Sequence, residues 1–490
     1  MIKRLCITLV FYCTANLMMA QSFNGPLKVS TQNPRYFTNG NGKAILLTGS
    51  HTWENLQDIL AAGDKPFDYS KYIGMMQANG HNFMRLWMFE QPRMAAWTAD
   101  SITMSPLPFS RTGPGLANDG KPKFDLKKYN PDYFNRLRNR VIQAGKKNIY
   151  VSVMLFQGWS LDRTNFRIGD PFPFLPYNKD NNINNIDAPE SNEDFDDKPS
   201  LHSLMISPQL LAVQEAYVKK VIETVNDLDN VLYEIINEGG GTDWQYHIIN
   251  FIKKTEAAMP KQHPVGMTHR GDPKQPNQVL FDSPADWISP NAKPYDWYIG
   301  DSVINSSFKT NPPASTGKKV VVTDTDHLWG HGGNHQWVWK SFLRGLNPIF
   351  MDPLEPLPGR EDEERSEGWI YITGGITKDD PNYPDYDLIR KSMGYARSYA
   401  ARVNLMNMIP HAELSTTQYC LADIGKEYLI YFPGTTGTID LHKAAGEYTV
   451  EWFIPVLNKK LVGPKALKGG KKVFVEPPTA LDALLYLKRK

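Results

Sequence analysis

Eight short apolar runs recur along residues 44–353 of this 490-residue chain, separated by helix-spaced segments, and this alternation constrains its fold more than any other feature. The runs are AILLTG (44–49), NFMRLWMF (82–89), NIYVSVMLF (148–156), NVLYEII (230–236), HPVGMTH (263–269), DWISP (286–290), KKVVVTD (318–324) and NPIFMDP (347–353). Most are β-branched or aromatic and apolar on both parities, as strands buried on both faces of a parallel sheet must be. Between them, Pro131 to Phe134 opens a helical pattern with Leu137, Val141 and Ile142 on one face. Pro208 to Val225 carries a second, with Leu211, Val218, Val221 and Ile222, and Trp337 to Leu343 a short third. Eight strand–helix units predict an α/β architecture, a (β/α)8 TIM barrel over residues 21–409 with insertions. A doubly wound open sheet is the alternative.

After the eighth run a helical pattern extends from Tyr386 to about Met408 and stops before Pro410. The texture then changes to short runs such as YLIYF (428–432), TIDL (438–441), YTVEWF (448–453) and KVFV (472–475), broken by Gly and Pro. Residues 410–490 therefore read as a small antiparallel β-sandwich domain. At the other end, Lys3 and Arg4 precede an apolar run from Leu5 to Leu17, and Ala20 offers a cleavage point before Gln21. That is the pattern of a signal peptide over residues 1–20; the run is short for a membrane span. Cys6 and Cys13 fall inside it, which leaves Cys420 and no intramolecular disulfide or Cys-based metal site. Export to the periplasm or cell surface of a Gram-negative bacterium is the expectation. A net charge of +2 gives no reason to expect a nucleic acid or an anionic membrane as partner. No cofactor is expected.

One insertion stands out. Asp170 to Ser200 is rich in Pro, Asn and Asp and follows the third run, in the position of a lid. Its side-chain oxygens lack the order of an EF-hand.

In a barrel, polar residues at the C-terminal ends of the strands share one pocket. The first run leads into Ser50-His51-Thr52-Trp53-Glu54, and the second carries Arg85, Trp87, Glu90 and Gln91. Gln157 ends the third, Asn237 and Glu238 the fourth, His269 and Arg270 the fifth, and Ser289 and Asn291 the sixth. The seventh gives Asp324, Asp326 and His327, with Trp329 beyond, and the eighth gives Asp352. One polar strand end is commonly a cap. Eight together call for a solvated pocket, because each would otherwise be desolvated.

Two carboxylates on opposite walls of such a pocket suit glycoside hydrolysis, one protonating the leaving oxygen and the other attacking carbon or activating water. Glu238 is the candidate acid, with Arg85 or His269 placed to tune it. Asp324 and Asp326, spaced i, i+2 and so on one face of a strand, are the candidate partners; Glu355 is a third option. Asn237, Arg85, Trp87, Gln157, His269, Arg270, Asn291, His327, Trp329, Asp352 and Trp53 are candidate substrate contacts. His327, His331 and His335 recur at i, i+4, i+8 beside Asp324 and Asp326, which leaves a metal-dependent hydrolase as an alternative. A non-catalytic glycan-binding barrel is another.

Ile236-Asn237-Glu238 after strand four, Arg85 after strand two and an acid after strand seven resemble clan A glycoside hydrolases. The layout, with the tail IYFPGTTGTIDL…YTVEWFIP, is similar to secreted bacterial apiosidase-like enzymes that carry a C-terminal β-sandwich of the collagen-binding type. The resemblance implies a retaining glycosidase of a plant or algal polysaccharide or oligosaccharide. It further implies Glu238 as acid/base, Asn237 on the sugar 2-hydroxyl and Asp324, in place of the clan's Glu, as nucleophile.

Overall fold

A computed structural model describes residues 23–96, 98–161, 169–189, 198–271, 275–291, 308, 310–328, 333–354, 384–463 and 466–490. The signal-peptide segment, Trp329, His331, Glu355 and the acidic centre of the 170–200 insertion lie outside them.

Eight parallel strands close into a barrel. They are β1 (Gly49–His51), β2 (Phe83–Leu86), β3 (Tyr150–Gln157), β4 (Val231–Asn237), β5 (Val265–Thr268), β6 (Trp287–Ser289), β7 (Val320–Asp324) and β8 (Asn347–Met351). β8 pairs with β1 and β1 with β2, which closes the ring. Outside it run α1 (Tyr69–Ala78), α2 (Pro131–Gly145), α3 (Pro208–Val225), α4 (Thr242–Glu256), α5 (His335–Leu343) and α6 (Tyr386–Arg402). The starts of α2 and α3 follow from local chemistry. Asn130 accepts from the Asp132 N–H and Ser207 from the Leu210 N–H, each cap followed by a proline whose missing N–H costs nothing at that position.

The first apolar run takes a different place from the one its composition suggests. Ala44–Ile45 is not barrel wall but the last strand of a small antiparallel sheet with Phe37–Thr38 and Lys28–Val29. Leu27, Phe37 and Leu47 pack against the lumen residues Phe83, Tyr150, Leu232, Trp287, Val320, Val322 and Ile349 in one cluster. The run is apolar because it plugs the floor of the barrel. The wall strand is the polar Gly-Ser-His that follows, paired with Ile349–Met351 of β8 and, at Gly49, with Phe83 of β2. α6 also ends earlier than its pattern suggests, at Arg402, with Val403 extended.

Gly266 on β5 makes room for the Trp287 indole in the lumen: a Cβ there would lie 1.9 Å from the ring. Gly266→Ala is expected to destabilise the protein by about 1–3 kcal/mol through overpacking, read as a lowered denaturation midpoint with an unchanged slope.

Between β2 and α2 the chain makes an antiparallel excursion whose last two strands, Phe109–Leu116 and Pro122–Tyr129, pair as a hairpin. The described half of the 170–200 insertion is knitted to that hairpin. Asn182 Nδ2 donates to the carbonyls of Pro176, Asn178 and Ile186, and Asn181 Oδ1 accepts from the Asn118 N–H. Its amides thus satisfy backbone groups that a long loop would otherwise leave unpaired.

The C-terminal domain is a seven-stranded antiparallel sheet facing a two-stranded ribbon, Gly437–Asp440 with Lys472–Val475. Alternation decides its two faces. Leu429, Tyr431, Leu484, Tyr486 and Phe453 join the barrel core, while Tyr428, Ile430, Phe432, Leu485 and Leu487 join the sandwich core. Trp339 of α5 stacks on Tyr431 and also meets Phe453, which seats the domain against the barrel. Among the described residues no helix is long and apolar enough to cross a membrane.

Candidate active site

Above the apolar floor the lumen turns polar, and Arg85 of β2 is its hub. Its guanidinium is 1% exposed. Nε donates to Glu234 Oε2 at 2.9 Å and Nη2 to Glu234 Oε1 at 2.5 Å, a bidentate pair reaching across from β4. Nη2 also reaches Asn237 Oδ1 at 2.7 Å, and Nη1 is shared by Asp324 Oδ2 and Asp326 Oδ2, each at 2.9 Å. Burial works against the guanidinium's charge, and Glu234, Asp324 and Asp326 outweigh it.

The two aspartates differ in what they leave available. Asp324 ends β7 and is fully buried. Its Oδ1 accepts from His51 Nε2 and from the Asp326 N–H, both at 2.9 Å, while Oδ2 accepts from Arg85. Burial would raise its pKa, but His51 and Arg85 beside it prevail and hold it well below the usual carboxylate range. The strand stops there. Thr325–Leu328 is a single helical turn, so Asp326 sits on that turn rather than on the same strand face as Asp324. The helical step brings its Oδ2 back to Arg85, and its side chain keeps 9% exposure against 0% for Asp324.

His327 lies on the same turn, fully buried. Nδ1 is 3.0 Å from Ser289 Oγ, and Nε2 is 3.4 Å from Asn237 Oδ1 and 3.5 Å from Asp326 Oδ2. Two acceptors at Nε2 place the proton there and leave Nδ1 to accept the Ser289 hydroxyl. Burial lowers the pKa of this imidazole.

Glu238 is the first residue past β4 and stands at φ +42°, a left-handed conformation that costs a non-glycine residue energy and that clusters at functional sites. Glycines clear the space around it. A Cβ on Gly158 would lie 2.4 Å from the Glu238 carbonyl oxygen, and the virtual Cβ of Gly271 is 3.6 Å from the Glu238 side chain. Glu238 is half-buried, unlike its fully buried neighbours Asn237 and Gly239.

Arg85, Asn237, Asp324, Asp326 and His327 are thus brought together in one hydrogen-bonded group. Gln157 joins them, its Oε1 3.3 Å from Asn237 Nδ2. Trp87 is 1% exposed and packs behind the cluster, 4.8 Å from the Arg85 guanidinium. Trp53 is 4% exposed, with its ring centroid 5.2 Å from that of the half-buried Trp159. Others have different partners. Asp352 is fully buried and binds the Arg390 guanidinium through both oxygens, tying β8 to α6. His269 Nε2 donates to the Gln275 carbonyl and Nδ1 accepts from the Gly271 N–H. Arg270 and Asn291 are buried at the ends of β5 and β6, their backbones bound by Gln275 and Asn277 side chains. His335 is 3.2 Å from Asp482 of the C-terminal domain, away from Asp324 and Asp326. Among the described residues no group of three or more His, Cys, Asp or Glu is arranged to hold a metal ion.

Residues that sequence reasoning left off the candidate contacts complete the group. Glu234 is an acid inside an apolar strand, and that burial without a visible partner was the available signal. His51 lies on β1; the sequence placed it among the polar strand ends without singling it out as a contact. Glu90 and His202 face each other at 2.9 Å beside Gln157, with His202 supplied by the segment between the insertion and α3.

Residues 99–282 match a family described as a domain of unknown function, DUF6298. No curated protein matches the chain. Among solved structures, a glycoside hydrolase superposes with a TM-score of 0.59 at 13% identity, covering 95% of this chain and 97% of that one. A glycoside hydrolase family 5 protein from Bacteroides vulgatus ATCC 8482 gives 0.60 at 14% identity, covering 95% and 94%. At such identity the likeness is one of fold, and it spans the barrel together with the β domain.

Proposed function

We propose that this chain is an exported glycoside hydrolase that cleaves a plant or algal polysaccharide or oligosaccharide with retention of configuration. Glu238 is the acid/base. Asp326, rather than the Asp324 that the clan A motif implies, is its partner. The observation that carries the reading is the asymmetry at Arg85. One aspartate is sealed, with both oxygens committed to donors. The other touches the same guanidinium through Oδ2 and is the more exposed. A group that attacks an anomeric carbon, or a water beside it, needs an oxygen that substrate can reach. In this division Asp324 anchors Arg85 and Asp326 reacts.

Support for the class comes from the fold shared with glycoside hydrolases, from the strained Glu238 at the end of β4, and from the position of β7 across the barrel. Asn237 then binds the sugar 2-hydroxyl, as in the clan, with Arg85 and His327 fixing its orientation. The N-terminal run that resembles a signal peptide supports export to the periplasm or cell surface of a Gram-negative bacterium.

The test is a panel of plant and algal glycans with NMR of the first-formed anomer; an inverted product would overturn retention. Asp326→Asn should cut kcat about 10²–10⁴-fold on every substrate the wild type turns over. Asp324→Asn should chiefly lower Tm, since its amide cannot accept from three donors as the carboxylate does. A reversal of that pattern would return the partner's role to Asp324.

A further inference from the structure

Trp87 and His51 take no part in the chemistry proposed above, yet the structure spends a buried indole N–H on a buried imidazole directly behind Asp324. Trp87 Nε1 donates to His51 Nδ1 at 2.7 Å, and His51 Nε2 is 2.9 Å from Asp324 Oδ1. Both side chains are buried, and the rings stack with centroids 5.5 Å apart at 21°. An indole N–H can only donate. Nδ1 must therefore be bare and accepting, which puts the single ring proton on Nε2, pointing at Asp324. We infer that Trp87 is a positioning residue that locks His51 in its neutral Nε2–H tautomer and through it fixes the carboxylate of Asp324.

The lock matters because of what faces His51. Asp324 meets it from β7, and behind Asp324 stand Arg85 from β2, Glu234 from β4, and Asp326 and His327 on the turn after β7. Three carboxylates share one guanidinium beside it. A second proton on His51 could be added only at Nδ1, where the Trp87 N–H already points. With the lock in place Asp324 stays divided between His51 and Arg85, and Arg85 stays divided between Asp324 and Asp326. Without it, an imidazolium would draw Asp324 into its own ion pair. Arg85 would then close on Asp326, the group proposed to react.

Trp87→Phe keeps the ring that packs on Arg85 and removes only the N–H, so it separates positioning from packing. The inference rests on the glycosidase reading for its kinetic consequence alone, since the tautomer can be read without substrate. In the wild-type protein, 15N–1H NMR of the histidine side chains, with His51 assigned by its loss in His51→Gln, should show an unprotonated Nδ1 and a protonated Nε2. In Trp87→Phe the His51 signals should lose that single-tautomer signature. kcat should fall with KM little changed, and Trp87→Phe should cost nothing further in a His51→Gln background. A proton on Nδ1 of wild-type His51, or a wild-type kcat in Trp87→Phe, would overturn the inference. The expected tautomer in a protein that hydrolyses no glycan would instead overturn the glycosidase reading and leave the positioning role standing.

Discussion

Glu238→Gln is expected to lower kcat on glycosides with unactivated leaving groups about 10²–10⁴-fold, with little change in Tm. Glutamine has the same shape and the same tolerance of the φ +42° backbone, but it has no proton to give the departing oxygen. The loss should shrink on aryl glycosides such as nitrophenyl sugars, whose leaving group departs without protonation. An equal loss on both substrate types would mean that Glu238 binds rather than protonates, and full turnover would remove it from the chemistry. The strain at this residue is part of the argument. A glycine would occupy that backbone more cheaply, so a carboxylate there is retained against its local preference.

Arg85→Met should have the largest effect on stability. The methionine fills much of the arginine volume but leaves Glu234, Asp324 and Asp326 facing one another without their cation. Breaking a buried ion pair by removing one partner costs about 3–5 kcal/mol, and here one guanidinium serves three acids. The pH dependence should reverse. In the wild type Asp324 has a depressed pKa, so its stabilising contribution is present above the unfolded carboxylate value of about 3.9 and is lost only as pH falls through the lower folded value. In the variant, unpaired buried carboxylates have raised pKa values, which stabilise at low pH and fail as pH climbs. Tm measured from pH 4 to pH 8 should therefore fall with rising pH in Arg85→Met but not in the wild type. Parallel curves would show that the cluster is solvated and that Arg85 carries less than its geometry implies.

Some of this could be read directly from the chain. The Asn237–Glu238 end of β4 was legible because a largely apolar strand stops on an amide and an acid, followed by glycines that clear the space. Arg85 inside an apolar run was legible for the same reason. Glu234 was not, although it makes the closest contact to Arg85, because an acid in the middle of a strand declares neither which face it occupies nor what meets it. His51 was read as a polar strand end but not as a contact, because its partner Asp324 is remote in sequence. AILLTG has the composition of a barrel wall, but apolar residues serve a floor as well as a wall, and composition does not tell the two apart. The i, i+2 spacing of Asp324 and Asp326 suggested equivalent residues on one face; the strand's end after Asp324 and the helical turn at Thr325–Leu328 made them unequal.

The sequence by itself determined the periodicities. Two-sided apolar runs alternating with helical stripes require a parallel sheet, closed or open, short strands with alternating faces require a terminal sheet, and polar residues at strand ends suit a common mouth. These properties depend on neighbours within a few residues, where side-chain direction follows from backbone geometry. What only the tertiary structure decided is which charges meet. Arg85, Glu234, Asp324 and His51 lie on four different strands, separated by as many as 273 residues. A buried charge is acceptable only with its partner in place. Closure of the barrel supplies those partners, and with them the difference between the sealed Asp324 and the more exposed Asp326.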